Sequence, residues 1–208
     1  MPADHDRELC RTHEPPRRAL LAALAALAVA LAMCLSWGGE LGFSSSLTPG
    51  LMEQLAGRFG PDARTRLAAW QKFILGQRLP QDRRENPSGK TERDILEAVN
   101  AFFNRLPFVD DLRHWGVVDY WASPAEMLAS NGGDCEDFSI AKYFALKEIG
   151  VPIARLRITY VKATRINQAH MVLAYYPGPD TEPLILDNLE DQIRPASQRP
   201  DLIPVYHF

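Results

Sequence analysis

Apolar positions along the chain follow three different patterns. Residues 19–35 are an unbroken apolar run without charge, glycine or proline, directly behind Arg17 and Arg18. From about residue 51 to residue 149 the apolar positions recur at helical intervals. The clearest stripe is Ile95, Val99, Phe102 and Leu106, at steps of 4, 3 and 4 within residues 91–106. Short helices are predicted over 51–59 and 62–75, separated by Gly60-Pro61. Ser123-Pro124-Ala125-Glu126 has the chemistry of a helix start, with a hydroxyl cap, proline at the first position and a carboxylate at the third. A further helix covers 139–149, with Gly150 as its stop and Pro152 beyond. Past that point the chain reads as strands over 153–161, 171–176 and 184–186. An edge strand over 203–208 follows, limited to that role by Pro204. The polar stretch 81–90 reads as a surface loop. Helices followed by a mostly antiparallel sheet make an α+β domain.

The run at 19–35 is apolar on every face, which a buried core helix is not. Two arginines in front of it hold that end on the cytoplasmic side, so the chain that follows is expected to be exported. The length lies between a signal-peptide core and a full bilayer span. Ala30-Leu31-Ala32 offers small residues for cleavage, Trp37 would suit a retained interfacial anchor, and Leu31-Ala32-Met33-Cys34 is a weak lipidation pattern with Met33 misplaced. The expected organisation is a signal peptide or anchor at 1–37, a Gly- and Ser-rich linker at 38–50, and one domain at 51–208.

Composition narrows the function classes. Of 208 residues, 46% are apolar and 24% charged, an ordinary globular balance that excludes a disordered or fibrous chain. Net charge is −3, from 23 basic and 26 acidic residues, which disfavours a nucleic-acid surface. Three cysteines cannot build a disulfide scaffold, and Cys10 and Cys34 belong to the leader. Cys135 is left as the thiol of the domain.

Cys135 follows Asn131-Gly132-Gly133-Asp134, where the glycines permit a tight turn and Asp134 is a natural N-cap. It should occupy the first turn of a helix, where unpaired N–H groups and the helix dipole favour a thiolate. A buried cysteine acting as a small hydrophobe would fit the position alone equally well. His170 at the mouth of one apolar strand and Asp187 at the end of the next add a base and its orienting carboxylate, the set that a thiol nucleophile requires.

Four blocks in order carry a family resemblance. They are Tyr120-Trp121-Ala122-Ser123-Pro124-Ala125-Glu126, Gly133-Asp134-Cys135-Glu136-Asp137-Phe138, Gln168-Ala169-His170-Met171-Val172-Leu173-Ala174-Tyr175, and Leu186-Asp187-Asn188-Leu189. Together they resemble the bacterial transglutaminase-like cysteine proteinases of the LapG type, with a papain-related fold, over roughly residues 73–208. The resemblance implies a periplasmic, calcium-dependent endopeptidase that cuts a large cell-surface adhesin near its N-terminus and so releases biofilm cells. It also implies sequestration by a LapD-type inner-membrane receptor that reads cyclic di-GMP. On it, Cys135 is the nucleophile, His170 the general base and later acid, and Asp187 the orienting group.

Asp134, Glu136 and Asp137 crowd the thiol and oppose its ionisation. As residues they read equally well as helix-capping acids or as hard oxygen ligands for Ca²⁺, and the spacing is not that of an EF-hand. The resemblance maps a calcium site onto these three positions. For the oxyanion, the Cys135 backbone N–H is one expected donor, and the Trp121 indole a second candidate beside a plain packing role. Trp115, Tyr120 and Trp121 would either line a peptide groove or belong to the core. Two other functions share the sequence features: a transglutaminase-type acyl transferase, and a non-catalytic receptor-binding module.

Overall fold

The computed structural model describes residues 47–77 and 89–208. The leader and most of the polar loop expected at 81–90 lie outside these residues. Among the described residues, no helix is long and apolar enough to cross a membrane.

Helix α1 spans Pro49–Phe59, with the Thr48 hydroxyl accepting from the Leu51 N–H at 3.2 Å. It starts two residues before the expected 51 because Thr48 caps it and Pro49 opens it. Leu47 is already buried in the core, so the domain reaches into the stretch read as a linker. Helix α2, Asp62–Gln77, buries Ala63, Leu67, Trp70 and Ile74 on one face. Helix α3, Glu92–Phe103, opens on a reciprocal capping box between Thr91 and Asp94 and buries Ile95, Leu96, Val99 and Phe103. Trp70 packs against Phe102 and Phe103 at ring-centroid distances of 5.5 and 5.2 Å, joining α2 to α3. Short helices α4, Asp111–His114, and α5, Pro124–Ser130, precede the central α6, Cys135–Ile149. The expected Ser123–Glu126 cap is present on α5, and Asn131 leaves it in the left-handed conformation at φ 65°.

The sheet has five antiparallel strands in the order β4-β3-β2-β1-β5. They are β1 Leu156–Ala163, β2 Gln168–Tyr175, β3 Leu184–Leu186, β4 Arg194–Pro195 and β5 Leu202–His207. The strand expected from residue 153 begins at Leu156 instead. Ile153–Arg155 form a 3₁₀ turn after Pro152, in which the Arg155 N–H reaches the Pro152 carbonyl. Helix α6 packs on the sheet through Ala141, Ala145, Leu146 and Ile149, against Leu156, Leu173, Tyr175 and Leu186. Val161, Val172, Ala174 and Ile185 form a smaller cluster on the opposite face. The inner part of β2 is therefore buried on both faces, which explains its almost continuous apolar run.

Candidate active site

The sheet register accounts for the meeting of His170 and Asp187. Ala174 pairs with Ile185 and Leu173 with Leu186. Continuing that register sets Asp187 opposite Val172 and diagonal to His170, on the same side of the pleat. The imidazole spans the diagonal, and His170 Nε2 lies 2.8 Å from Asp187 Oδ1 with both side chains buried. The Leu189 N–H donates to the same Oδ1 at 3.0 Å, and the Asn104 amide holds the Asp187 carbonyl at 2.9 Å. Burial works against ionisation of Asp187. The bonds from His170, Leu189 and Arg199 overcome it and hold the carboxyl down at about 2.

Strand β3 ends opposite Leu173, so the first half of β2 has no strand beyond it on that side. The N-terminus of α6 is brought to this half: the backbone N–H of Met171, the residue after His170, comes near enough to the Cys135 sulfur to favour its thiolate. The expected placement of Cys135 in the first turn of a helix is met, with Asp134 at the N-cap. With Nε2 engaged by Asp187, Nδ1 is the ring nitrogen of His170 left for a thiol proton. The thiol itself is directed at Glu136, whose Oε2 lies 3.1 Å from the sulfur. Burial pushes the Cys135 thiol pKa up, and the charges of Glu136 and Asp134 push it further.

The loop before α6 is shaped by close backbone approach. A Cβ on Gly133 would collide with the Asp137 carboxylate, which folds back to accept from the Asp134 N–H at 3.4 Å. A Cβ on Gly132 would come within 2.9 Å of the Pro107 carbonyl. Gly132 lets the 107–109 segment lie against the loop, through a Phe108–Gly133 bridge with the Val109 N–H on the Gly133 carbonyl at 2.9 Å, while Gly133 leaves room for the Asp137 carboxylate.

That strap brings Asp111 to the acids beside the thiol. Carboxylate oxygens of Asp111, Asp134 and Asp137 lie within 4.8 Å of one another, as do those of Asp111, Asp119 and Glu136. All three acids singled out in the sequence belong to this cluster, together with Asp111 and Asp119, which the sequence reading did not select. Asp111 Oδ1 and Asp134 Oδ1 are both buried without a hydrogen-bond partner among the described residues. Burial, reinforced by the neighbouring acids, raises Asp134 to about 9 and Asp137 to about 7, and raises Asp111 as well. Orphaned carboxylate oxygens in a repelling, all-oxygen donor set are what a hard divalent cation satisfies, so the residues fit Ca²⁺.

The aromatic cluster divides. Trp115 packs on Tyr120 at 4.6 Å and meets Phe59 edge-on at 5.9 Å, as scaffold packing. Trp121 is 51% exposed and meets the Phe208 ring edge-on at 6.3 Å. Neither other described histidine carries an arrangement like that of His170: His114 bonds the Ser130 hydroxyl at 2.8 Å, and His207 is exposed near the end of β5. One buried residue touching the site had no signal in the sequence. Arg199 Nη2 lies 2.7 Å from Asp187 Oδ2, and the guanidinium is held in turn by Asp201.

The sequence pattern of the bacterial transglutaminase-like cysteine proteinases (BTLCP) matches residues 77–201. Among solved structures, Legionella pneumophila LapG is 45% identical with a TM-score of 0.64, covering 76% of this chain and 82% of that one. The calcium-bound form of the same protein matches with the same identity, coverage and TM-score. The EGTA-treated form matches at 45% identity and TM-score 0.64, covering 80% of that chain. No curated relative matches in sequence. The pattern match over the site-bearing half and the identity across three quarters of the chain agree: the chain belongs to the bacterial transglutaminase-like cysteine proteinases, and within them it is of the LapG type.

Proposed function

We propose that this protein is a periplasmic, calcium-dependent cysteine endopeptidase whose catalytic groups are Cys135, His170 and Asp187. Its substrate is the N-terminal region of a large cell-surface adhesin, and a LapD-type inner-membrane receptor reading cyclic di-GMP holds it in check. The observation that carries the catalytic part is the buried His170–Asp187 pair at 2.8 Å, on the strand whose next residue, Met171, turns its backbone N–H toward the Cys135 thiol at the start of α6. The exported leader read from residues 1–37 and the likeness to LapG support the compartment and the substrate class.

Peptide cleavage proceeds from the protonated thiol. His170 Nδ1 takes the Cys135 proton while Asp187 stabilises the imidazolium through Nε2. The sulfur attacks the scissile carbonyl carbon. The resulting oxyanion lies at the N-terminus of α6, where first-turn N–H groups, that of Cys135 included, have no helical acceptor. His170 then returns the proton to the leaving amine, and later deprotonates the water that releases the acyl group. Asp111, Asp119, Asp134, Glu136 and Asp137 would hold Ca²⁺, a reading supported by the calcium-bound relative. When bound, the ion would neutralise this cluster and compete for the Glu136 carboxylate that now faces the thiol.

The test is incubation with the N-terminal region of the organism's own large adhesin, with Ca²⁺ and with excess EGTA, beside a Cys135→Ala variant. Cleavage by the wild type in Ca²⁺ alone is expected. Processing by Cys135→Ala, or equal processing in EGTA, would overturn the reading. A glycine-ester or other primary amine in the mixture separates hydrolysis from transamidation, because a transglutaminase places the amine on a glutamine side chain and leaves the main chain uncut. Co-purification with the receptor's periplasmic domain tests the regulatory partner.

A further inference from the structure

The Asp187 carboxylate has two oxygens, and the protease mechanism uses one. Oδ1 takes His170 and the Leu189 N–H. Oδ2 takes Arg199 Nη2 at 2.7 Å. Arg199 is gripped at two points by Asp201, with Nε to Oδ1 and Nη2 to Oδ2 both at 3.0 Å. The Asp201 carbonyl accepts from the Thr164 N–H at 2.8 Å and from its hydroxyl at 3.1 Å, which ties the pair to the turn between β1 and β2. All four side chains are buried: 3% of His170 is exposed, 1% of Asp187, 4% of Arg199 and 9% of Asp201.

We propose that Arg199, fixed by Asp201, is a positioning residue for the protease. It locks the rotation of the Asp187 carboxylate, so that Oδ1 always meets His170 Nε2 and Nδ1 stays open to the thiol. This rests on the catalytic reading given above.

Two physical arguments support it. The terminal torsion of an aspartate is broad, so one bond to an imidazole does not define it, whereas a charged bond on the second oxygen does. A planar fork anchored bidentately on a second carboxylate also loses little freedom in making that bond. Charge order matters as well. Imidazolium, carboxylate, guanidinium and carboxylate alternate in sign, so Asp201 cancels the Arg199 charge that would otherwise weaken the hold of Asp187 on a charged His170. Two other cations act on this chain of charges: the buried Lys142 on α6 is within electrostatic reach of Asp187 and Asp191, and the exposed Arg165 stands 3.9 Å from Asp201. A salt bridge serving only to fasten the segment after β4 would have no need to end on the histidine's own acid.

The experiment is proton and nitrogen-15 NMR of the full chain, labelled at histidine, in saturating Ca²⁺. His170 is assigned by its disappearance in His170→Gln. The wild type should show one downfield His170 Nε2–H resonance, the mark of a hydrogen bond to a carboxylate. In Arg199→Met that resonance should move upfield and exchange with water about tenfold faster or more, on the scale of one lost charged hydrogen bond. Arg199→Lys should give an intermediate shift, because an ammonium lacks the fork. Arg165→Met should change nothing. Should Arg199→Met not fold, Asp201→Asn carries the test, since it keeps the volume and removes one arm of the grip; an upfield shift is again expected. An unmoved His170 resonance in either folded variant, even with a lowered Tm, overturns the proposal. Labelling of Cys135 by iodoacetamide in the same samples scores the protease reading separately. A wild-type thiol that never reacts removes that reading and leaves the carboxylate result standing.

Discussion

Removing the cation should make the protein's stability depend on pH, in a direction set by the acidic cluster. Without Ca²⁺, Asp137 sits at about 7 and Asp134 at about 9, both raised first by burial and then by their acidic neighbours. A carboxyl whose folded-state pKa is raised contributes full stability below its unfolded value near 4. That contribution is lost as pH rises through the folded value. The cation-free protein should therefore weaken steadily from about pH 4 to about pH 9. For Asp137 alone, a shift of about three units is ~4 kcal/mol at most, and solvent relaxation reduces it to roughly 2 kcal/mol. Ca²⁺ binds only the ionised ligands. Its stabilisation should be small at pH 5, grow through neutral pH as Asp137 ionises, and approach ~2.7 kcal/mol near pH 9 when the ion is at about 100 times its Kd there. In a domain of this size that corresponds to a rise in Tm of roughly 5–10 °C. Calorimetric Tm from pH 5 to pH 9, in Ca²⁺ and in EGTA, reads both curves directly. The EGTA curve should fall while the Ca²⁺ curve stays nearly level, and Asp111→Asn, which removes the acid common to both carboxylate groups, should close the gap. A calcium effect that is equal at pH 5 and pH 8, or larger at pH 5, would refute the assignment of these carboxylates as the ligands.

Three other outcomes follow from the site. In EGTA, Glu136→Gln should make Cys135 react faster with iodoacetamide than the wild type at pH 7, because the carboxylate 3.1 Å from the sulfur opposes ionisation; an unchanged or slower rate refutes this. Gly133→Ala should cost ~1–3 kcal/mol in urea denaturation and weaken Ca²⁺ binding, since its methyl group collides with Asp137; a neutral substitution would contradict the packing. Asp187, held down at about 2, contributes stability above its unfolded pKa that is lost as pH falls from about 4 to about 2. Asp187→Asn should remove that part of the acid unfolding curve, together with cleavage.

Cys135 was legible because its signal is local. Two glycines, an N-cap acid and a helical run after them put the thiol in a first turn, and the structure has it there. His170 and Asp187 were legible because each sits at a recognisable place relative to an apolar strand, and strands adjacent in sequence pair in space. The stripe through Ile95 and Val99 and the Ser123–Glu126 cap were legible for the same reason: their interactions close within one turn. The 3₁₀ turn at Ile153–Arg155 was hidden because an apolar run beside a proline does not separate a tight turn from the start of a strand.

Residues whose role depends on distant chain segments carried no such signal. Asp111 and Asp119 stand among ordinary loop acids, and only the close approach of Phe108 to Gly133 delivers them to the thiol. Arg199 and Asp201 look like surface charges near the end of the chain, yet the return of β5 beside β1 buries them against Asp187. By itself the sequence determined the long helices, four of the five strands and the places of Cys135, His170 and Asp187 on them, because hydrophobic period and capping act over a few residues; the four-residue helix Asp111–His114 and the two-residue strand Arg194–Pro195 are too short to leave such a pattern. The tertiary structure decided the full carboxylate cluster and the support behind Asp187. Both depend on charges meeting across tens of residues, where backbone approach rather than spacing sets the distance.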